Sequence, residues 1–283
     1  MPELPEIEAL RDLISMDYAE REVGAVTVRQ FSLVKTFDPP VEVLHGTVIS
    51  GARRHGKHLL IDFDSSLTMA IHLGIGGRLV PGAAGSKPGR SASLDLGFVD
   101  GTSLRVVELG TKKRSSVHLL RQEMVPEHIQ RLGTDALSAE FTVDRLAELM
   151  AADRRQLKSF LEDQRGIAGI GNAYSDEILW EAQLPPLKMT TSVTDEEVAG
   201  LHAAVLDVLH GAIKRAREVN YLLVAHGDER HTFQVHRRAG EACPRCGEPI
   251  ASIHYADNSL QYCPSCQNDG RRYADRRLSR LFK

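Results

Sequence analysis

No run of apolar residues in this 283-residue chain approaches the roughly 20 that a membrane span requires. No basic segment followed by an apolar stretch opens it. The start, MPELPEIEAL, carries two acids among its first six residues, which argues against a secretion signal. Glycine and proline, 23 and 12 residues, are too few for a fibrous or disordered chain. There is no large excess of one charge: 35 Lys and Arg stand against 38 Asp and Glu, a net charge of −3. Bulk charge therefore points to no polyanionic partner. Cysteine is missing from the first 242 residues. What is present, 42% hydrophobic and 26% charged residues, suffices for two domains, each with its own core.

The charge that exists is unevenly spread. From His231 to Lys283 there are nine Lys and Arg against five acids, so this stretch is +4 and the first 230 residues are −7. A basic tail on an acidic body is either a polyanion contact or an ordinary solvated surface.

All four cysteines lie in that tail, as Cys243, Cys246, Cys263 and Cys266 in the pattern C-x2-C-x16-C-x2-C. Two such knuckles can set four thiolates tetrahedrally around one zinc. Two disulfides are the alternative, disfavoured without an export signal, and a redox pair would leave the other two cysteines unexplained. Between the knuckles, Ile250 to Tyr255 and Leu260 to Tyr262 read as two short strands joined by a turn at Asp257-Asn258. A segment of about 30 residues builds no core alone, so a zinc here is structural.

Periodicity divides the rest. Residues 5 to 16 put Ile7, Leu10, Leu13 and Ile14 on one helical face, with Pro5 in the first turn. From about 24 to 121, short apolar or alternating runs separated by Gly, Pro, Ser and Asp predict an antiparallel sandwich or barrel. Pro81 to Ser93 reads as an exposed loop. Near Pro126 to Leu137 the pattern turns helical, and Val143, Leu146, Leu149 and Met150 share a face. Thr194 to Glu197 is a capping box that opens a further helix through Leu209.

Two segments carry chemistry. In Pro2-Glu3-Leu4-Pro5-Glu6, removal of Met1 exposes a secondary amine, which converts a sugar aldehyde carbon directly to an iminium ion. The adjoining helix N-terminus disfavours amine protonation, and Glu3 is placed as a proton donor and acceptor. The bland alternative is a capped helix and nothing more. In Gln164 to Glu177, Gly166, Gly169 and Gly171 form tight turns before a helix. Backbone N–H groups and Asn172 can there meet a phosphate, or the turns serve packing alone.

Taken together, the MPELPEIE start, Arg53 to Lys57, Gln164 to Trp180 and Cys243 to Gln267 resemble the formamidopyrimidine-DNA glycosylase and endonuclease VIII family of base-excision repair enzymes, in family order across nearly the whole chain. The start is closer to the formamidopyrimidine branch, and the chain reads as a divergent member. The resemblance implies an α+β multidomain fold. An N-terminal antiparallel β-sandwich with a leading helix spans 1–128, a helical domain with a helix–two-turns–helix motif 129–232, and a β-hairpin zinc finger with a basic tail 233–283.

It implies a bifunctional DNA glycosylase and abasic-site lyase that excises damaged bases and cleaves the strand by elimination. Pro2 matches the nucleophile, Glu3 the acid/base, Glu6 a supporting carboxylate and Lys57 a phosphate-holding lysine. Asn172 matches a phosphate-binding asparagine, and Arg165 a further DNA contact. One structural zinc sits on the four cysteines. The partner is double-stranded DNA with a damaged base or abasic site. The protein is expected to be a monomer in the bacterial cytoplasm, associated with the nucleoid.

Departures bear on substrate. Asn258 stands where the family's hairpin turn presents an arginine, and an amide lacks a guanidinium's charge and fork. Ile75 takes the first position of the family's three-residue wedge. The segment that supplies the other two is replaced by Glu108 to Ser116, in which Lys112 and Lys113 offer DNA contacts and no aromatic remains. The loop Asn220 to Thr232 is either a base-reading cover or a surface loop. These losses leave a second reading, a damaged-DNA binder of the same fold with little or no catalysis, beside the enzyme.

Overall fold

The computed structural model describes residues 2–109, 113–122, 126–218, 233–255 and 259–273. Lys112, Asn258 and the loop 220–232 lie outside the described residues. The chain forms two compact units, residues 1–131 with 213–227 and residues 132–212 with 228–283.

The first unit opens with helix α1 (Leu4–Asp17). Leu4, Ile7, Leu10 and Ile14 recur at helical spacing and are fully buried, each contributing about 1.5–3 kcal/mol relative to exposure. Eight strands follow: β1 (Val23–Val28), β2 (Ile49–His55), β3 (His58–Phe63), β4 (Leu67–His72), β5 (Gly77–Gly82), β6 (Ala92–Phe98), β7 (Ser103–Glu108) and β8 (Ser116–Arg121). They make two four-stranded sheets, ordered β1-β6-β7-β5 and β2-β3-β4-β8, antiparallel throughout.

Alternation sets which face is buried. Leu59, Ile61 and Phe63 of β3 with Met69 and Ile71 of β4 enter one core with Leu94, Leu96, Leu104 and Val106 of the other sheet and the apolar face of α1. Of the eight strands, β1, β3, β4, β6 and β7 coincide with the apolar runs of the sequence. The other three, β2 with Arg53 and Arg54, the glycine-flanked β5, and β8, were not among those runs.

The second unit is mostly helical: α3 (Val143–Ala151), α4 (Leu157–Glu162), α5 (Asn172–Glu181) and the greater part of α6 (Asp195–Glu218), which continues into the first unit. Thr142 caps α3 by accepting from the Arg145 N–H at 3.1 Å. The Thr194–Glu197 box caps α6, with Thr194 N–H to Glu197 Oε2 at 2.9 Å.

The helix expected over Pro126 to Leu137 is a single turn, α2 (Glu127–Gln130), in the first unit. Beyond it, the short strand β9 (Thr134–Asp135) pairs in parallel with β10 (Ile167–Ala168). Gly133 passes so close to the chain between α4 and α5 that a Cβ there would stand 2.2 Å from the Gly166 carbonyl oxygen. That pairing uses the backbone groups a longer helix would need. The chain ends in a hairpin, β11 (Ala251–His254) and β12 (Ser259–Tyr262), and the short helix α7 (Pro264–Gln267). Among the described residues no helix is long and apolar enough to cross a membrane.

Candidate functional site

The N-terminal residues organise the first site. Glu3 caps α1 from extended backbone. Its carboxylate accepts the N–H of Glu6, and the Glu6 carboxylate accepts the N–H of Glu3 at 2.7 Å. This reciprocal box satisfies two of the helix's free donors. It also fixes two carboxylates beside Pro2, which is buried directly before them. Glu3 is only 2% exposed.

Lys57 follows β2, which runs back along α1. Ser15 Oγ accepts the Ala52 N–H at 3.3 Å, and Arg54 Nε donates to Glu8 Oε2 at 2.6 Å. Two residues forward along β2 therefore run seven residues back along α1. The hairpin tip follows two residues further on. His55 pairs with His58, so Gly56 and Lys57 form a two-residue turn. Gly56 takes the left-handed φ of +55° that such a turn requires. Lys57 is buried.

Ile75 protrudes, 51% exposed, from the turn between β4 and β5. Its glycine neighbours are obligatory: a Cβ on Gly74 would lie 2.7 Å from the Arg114 carbonyl oxygen, and one on Gly76 would lie 2.1 Å from that of Leu109. The loop after β7 is thus pressed against the Ile75 turn. Buried Glu108 secures it by accepting from the Ser115 N–H at 3.0 Å and from Ser93 Oγ at 3.1 Å. Lys113 is exposed and donates to Gln30 Oε1 at 2.6 Å.

In the second unit Asn172 is the first residue of α5, and Arg165 is exposed at the turn before it. Asn172 Oδ1 is buried with no hydrogen-bond partner among the described residues.

Sequence reasoning missed what holds this helix start. Lys158 of α4, 6% exposed, donates to the Asn172 carbonyl oxygen at 3.0 Å, to Ser175 Oγ at 2.9 Å and to Asp176 Oδ1 at 2.7 Å. It pairs with Glu162 at 3.1 Å. Burial pulls its pKa down, but Asp176 and Glu162 outweigh burial and hold it above the usual lysine value. Glu177 accepts the N–H groups of Gln234, Val235 and His236 at 2.7–2.9 Å and so pins the turn leading to the cysteines. The one available signal was a lysine among the apolar residues Leu157, Phe160 and Leu161.

The four cysteine sulfurs lie within 4.8 Å of one another, with Cys243–Cys266 at 3.9 Å and Cys246–Cys263 at 3.4 Å. Four thiolates around one zinc, each about 2.3 Å from it, stand at such separations. Burial opposes ionisation of Cys243. The Trp180 indole N–H, 3.4 Å from its sulfur, and the backbone N–H groups of Arg245 and Cys246 overcome this and lower its pKa to about 7. Burial and the neighbouring thiols push Cys266 up. As thiolates, four sulfurs this close need a cation among them, and the donor set fits one structural zinc. Gln267 Nε2 donates to the Leu184 carbonyl oxygen at 3.0 Å, and Arg245 lies over the Trp180 ring at 4.1 Å, seating the knuckles on α5.

Family models match at residues 1–112 (formamidopyrimidine-DNA glycosylase N-terminal domain), 132–221 (formamidopyrimidine-DNA glycosylase H2TH domain) and 240–268 (zinc finger found in FPG and IleRS). The formamidopyrimidine-DNA glycosylase of Roseiflexus sp. (strain RS-1) is 34% identical over 278 residues, covering 94% of this chain and 100% of the relative. That of Herpetosiphon aurantiacus is 32% identical over 274 residues, with 94% and 100% covered. A solved structure of the Lactococcus lactis Fpg with abasic-site DNA superposes with a TM-score of 0.85 at 25% identity, covering 94% of this chain and 100% of that one. A MutM structure with carbocyclic 8-oxo-G DNA gives 0.84 at 25% identity, with the same coverage. The chain belongs to the formamidopyrimidine-DNA glycosylase family.

Proposed function

We propose that this protein is a bifunctional DNA glycosylase and abasic-site lyase, acting as a monomer on double-stranded DNA that carries an oxidised or otherwise damaged base. The observation that supports it is one end of α1, where a buried proline at position 2 has two carboxylates locked beside it, together with a buried lysine at the tip of the β2–β3 hairpin. The chemistry requires Met1 to be absent, because the nitrogen of Pro2 is otherwise an amide.

The freed amine attacks C1′ of the damaged nucleotide, and the bond from C1′ to the base breaks with its electron pair leaving on the base. The amine proton passes through Glu3 to O4′ as the sugar ring opens, leaving a cationic C1′=N bond to Pro2. That cation acidifies the 2′ hydrogen. Loss of this proton breaks the bond from C3′ to its oxygen, the phosphate departs with the electrons, and water later releases Pro2. The helix N-terminus keeps the amine unprotonated before attack. Glu6 supports Glu3. Lys57, Asn172 and Arg165 hold phosphates, Ile75 enters the stack, and Lys113 adds charge beside it. These contacts offset the few kcal/mol needed to take a base out of the duplex.

Borohydride tests the scheme by reducing the iminium to a permanent link. The Met1-free protein should be trapped on abasic-site DNA, and Pro2→Gly or retained Met1 should reduce trapping severely. Binding of abasic-site DNA with no adduct from Met1-free protein would establish the non-catalytic binder instead.

A further inference from the structure

Phe31 and Phe37 are each 82% exposed, although aromatics make up only 5% of the chain. Both belong to one segment along the outer edge of β8, where Lys35 N–H donates to the Val117 carbonyl oxygen at 2.9 Å and Leu119 N–H to Thr36 Oγ1 at 2.8 Å. The segment is held firmly. Leu33 is fully buried in the sandwich core, and Gln30 N–H donates to the Ser93 carbonyl oxygen at 3.1 Å. The Gln30 side chain takes the Lys113 ammonium at 2.6 Å, which ties the segment to the loop that packs against the Ile75 turn. Arg29 and Lys35 of the same stretch of chain, and Lys113 and Arg114 of the loop tied to it, are all exposed. The acid at the far end, Asp38, faces Arg121 at 3.8 Å.

Exposed aromatic rings separated by cations match a nucleic-acid strand whose bases are unstacked. Charge follows the phosphates, and each ring offers a face to a base. A protein partner calls for contiguous apolar area, and here Lys35 interrupts it. Eversion of a damaged nucleotide leaves its opposite base without a partner, and that base has a free face. We propose that this edge is a DNA-binding strip on which Phe31 stacks against the base left unpaired opposite the lesion. The proposal rests on the glycosylase reading and adds a residue that contacts the undamaged strand.

The test measures affinity for a duplex containing a stable tetrahydrofuran abasic analogue. Phe31→Ala should weaken binding on the order of tenfold, and Lys35→Ala should lower the slope of log affinity against log salt by about one. Phe31→Trp should restore affinity, and its added emission should be quenched on binding DNA. Because Phe31 is so exposed, neither variant should alter thermal unfolding. Phe31→Ala affinity within twofold of the parent, or Phe31→Trp emission unaffected by DNA, would overturn the proposal. So would a change in the sedimentation of free Phe31→Ala, which would mark a contact between copies of the chain. Borohydride trapping is scored separately. Phe31→Ala should still be trapped at saturating DNA, whereas an untrappable parent that retains the Phe31 dependence would remove the enzyme reading and leave the strip.

Discussion

Lys158 has two carboxylates, a hydroxyl and a carbonyl oxygen around its ammonium and almost no water. Lys158→Met keeps the volume and removes the cation that faces buried Asp176, so stability should fall by about 3–5 kcal/mol, the range for removing one side of a buried pair. The pH dependence has a definite sign. Burial opposes the charge, but the two acids raise the folded pKa above the ordinary 10.5. The contribution is therefore complete below about 10.5 and is lost as pH rises through the higher folded value. Tyr18 and Tyr262, whose pKa values burial raises, lose stability in the same alkaline window. Urea midpoints of parent and Lys158→Met should converge as pH climbs past 10.5, and a constant gap would show that the charge of Lys158 contributes nothing. The two phosphate contacts proposed here differ in kind. Lys57→Ala should weaken DNA binding and lower the salt slope by about one, whereas Asn172→Ala should weaken binding at unchanged slope because it removes a neutral donor. Equal slopes in both variants would deny Lys57 its phosphate.

At the scale of elements, legibility followed how local the determining interactions are. Helix α1 could be read from Pro5, the Glu3–Glu6 spacing and a 3.6-residue apolar rhythm, and it runs from Leu4 to Asp17. The cysteine spacing likewise announced a hairpin between two knuckles, observed as β11 and β12. Strand β2 was not legible, because Arg53 is paired with Asp62 across the hairpin and Arg54 with Glu8 on α1. Those partners convert a basic stretch into sheet only after the tertiary fold exists. The region after Pro126 failed for a related reason: its helical pattern lost to a backbone pairing with residues more than thirty positions away. In the candidate site, Pro2, Glu3 and Asn172 stood out by position at helix starts, and Glu6 only through the family resemblance. Phe31 and Lys158 did not, since exposure of a phenylalanine and burial of a lysine are set by neighbours that no short window contains.

The whole chain divides its stabilisation between two different sources. Residues 1–131 with 213–227 rest on the sandwich core, which α1 completes. Residues 132–212 with 228–283 hold all four cysteines. In this second unit Trp180, Val235, Cys243, Ile250 and Cys263 form one buried cluster, so the metal site and the helix that begins at Asn172 share packing. A small segment of this kind depends on its zinc for folding. Chelation should therefore act on one unit. Calorimetry of the zinc-loaded protein and of protein stripped by a strong chelator should show a transition that moves to lower temperature and another that stays. The emission of Trp180, the one tryptophan in the chain, should follow the transition that moves. Readdition of one equivalent of zinc should restore both signals. If instead the entire unfolding curve shifts as one, the sandwich and the zinc-bearing unit unfold as a single cooperative body, and the stability of the proline end of α1 is governed by a metal held on the other unit.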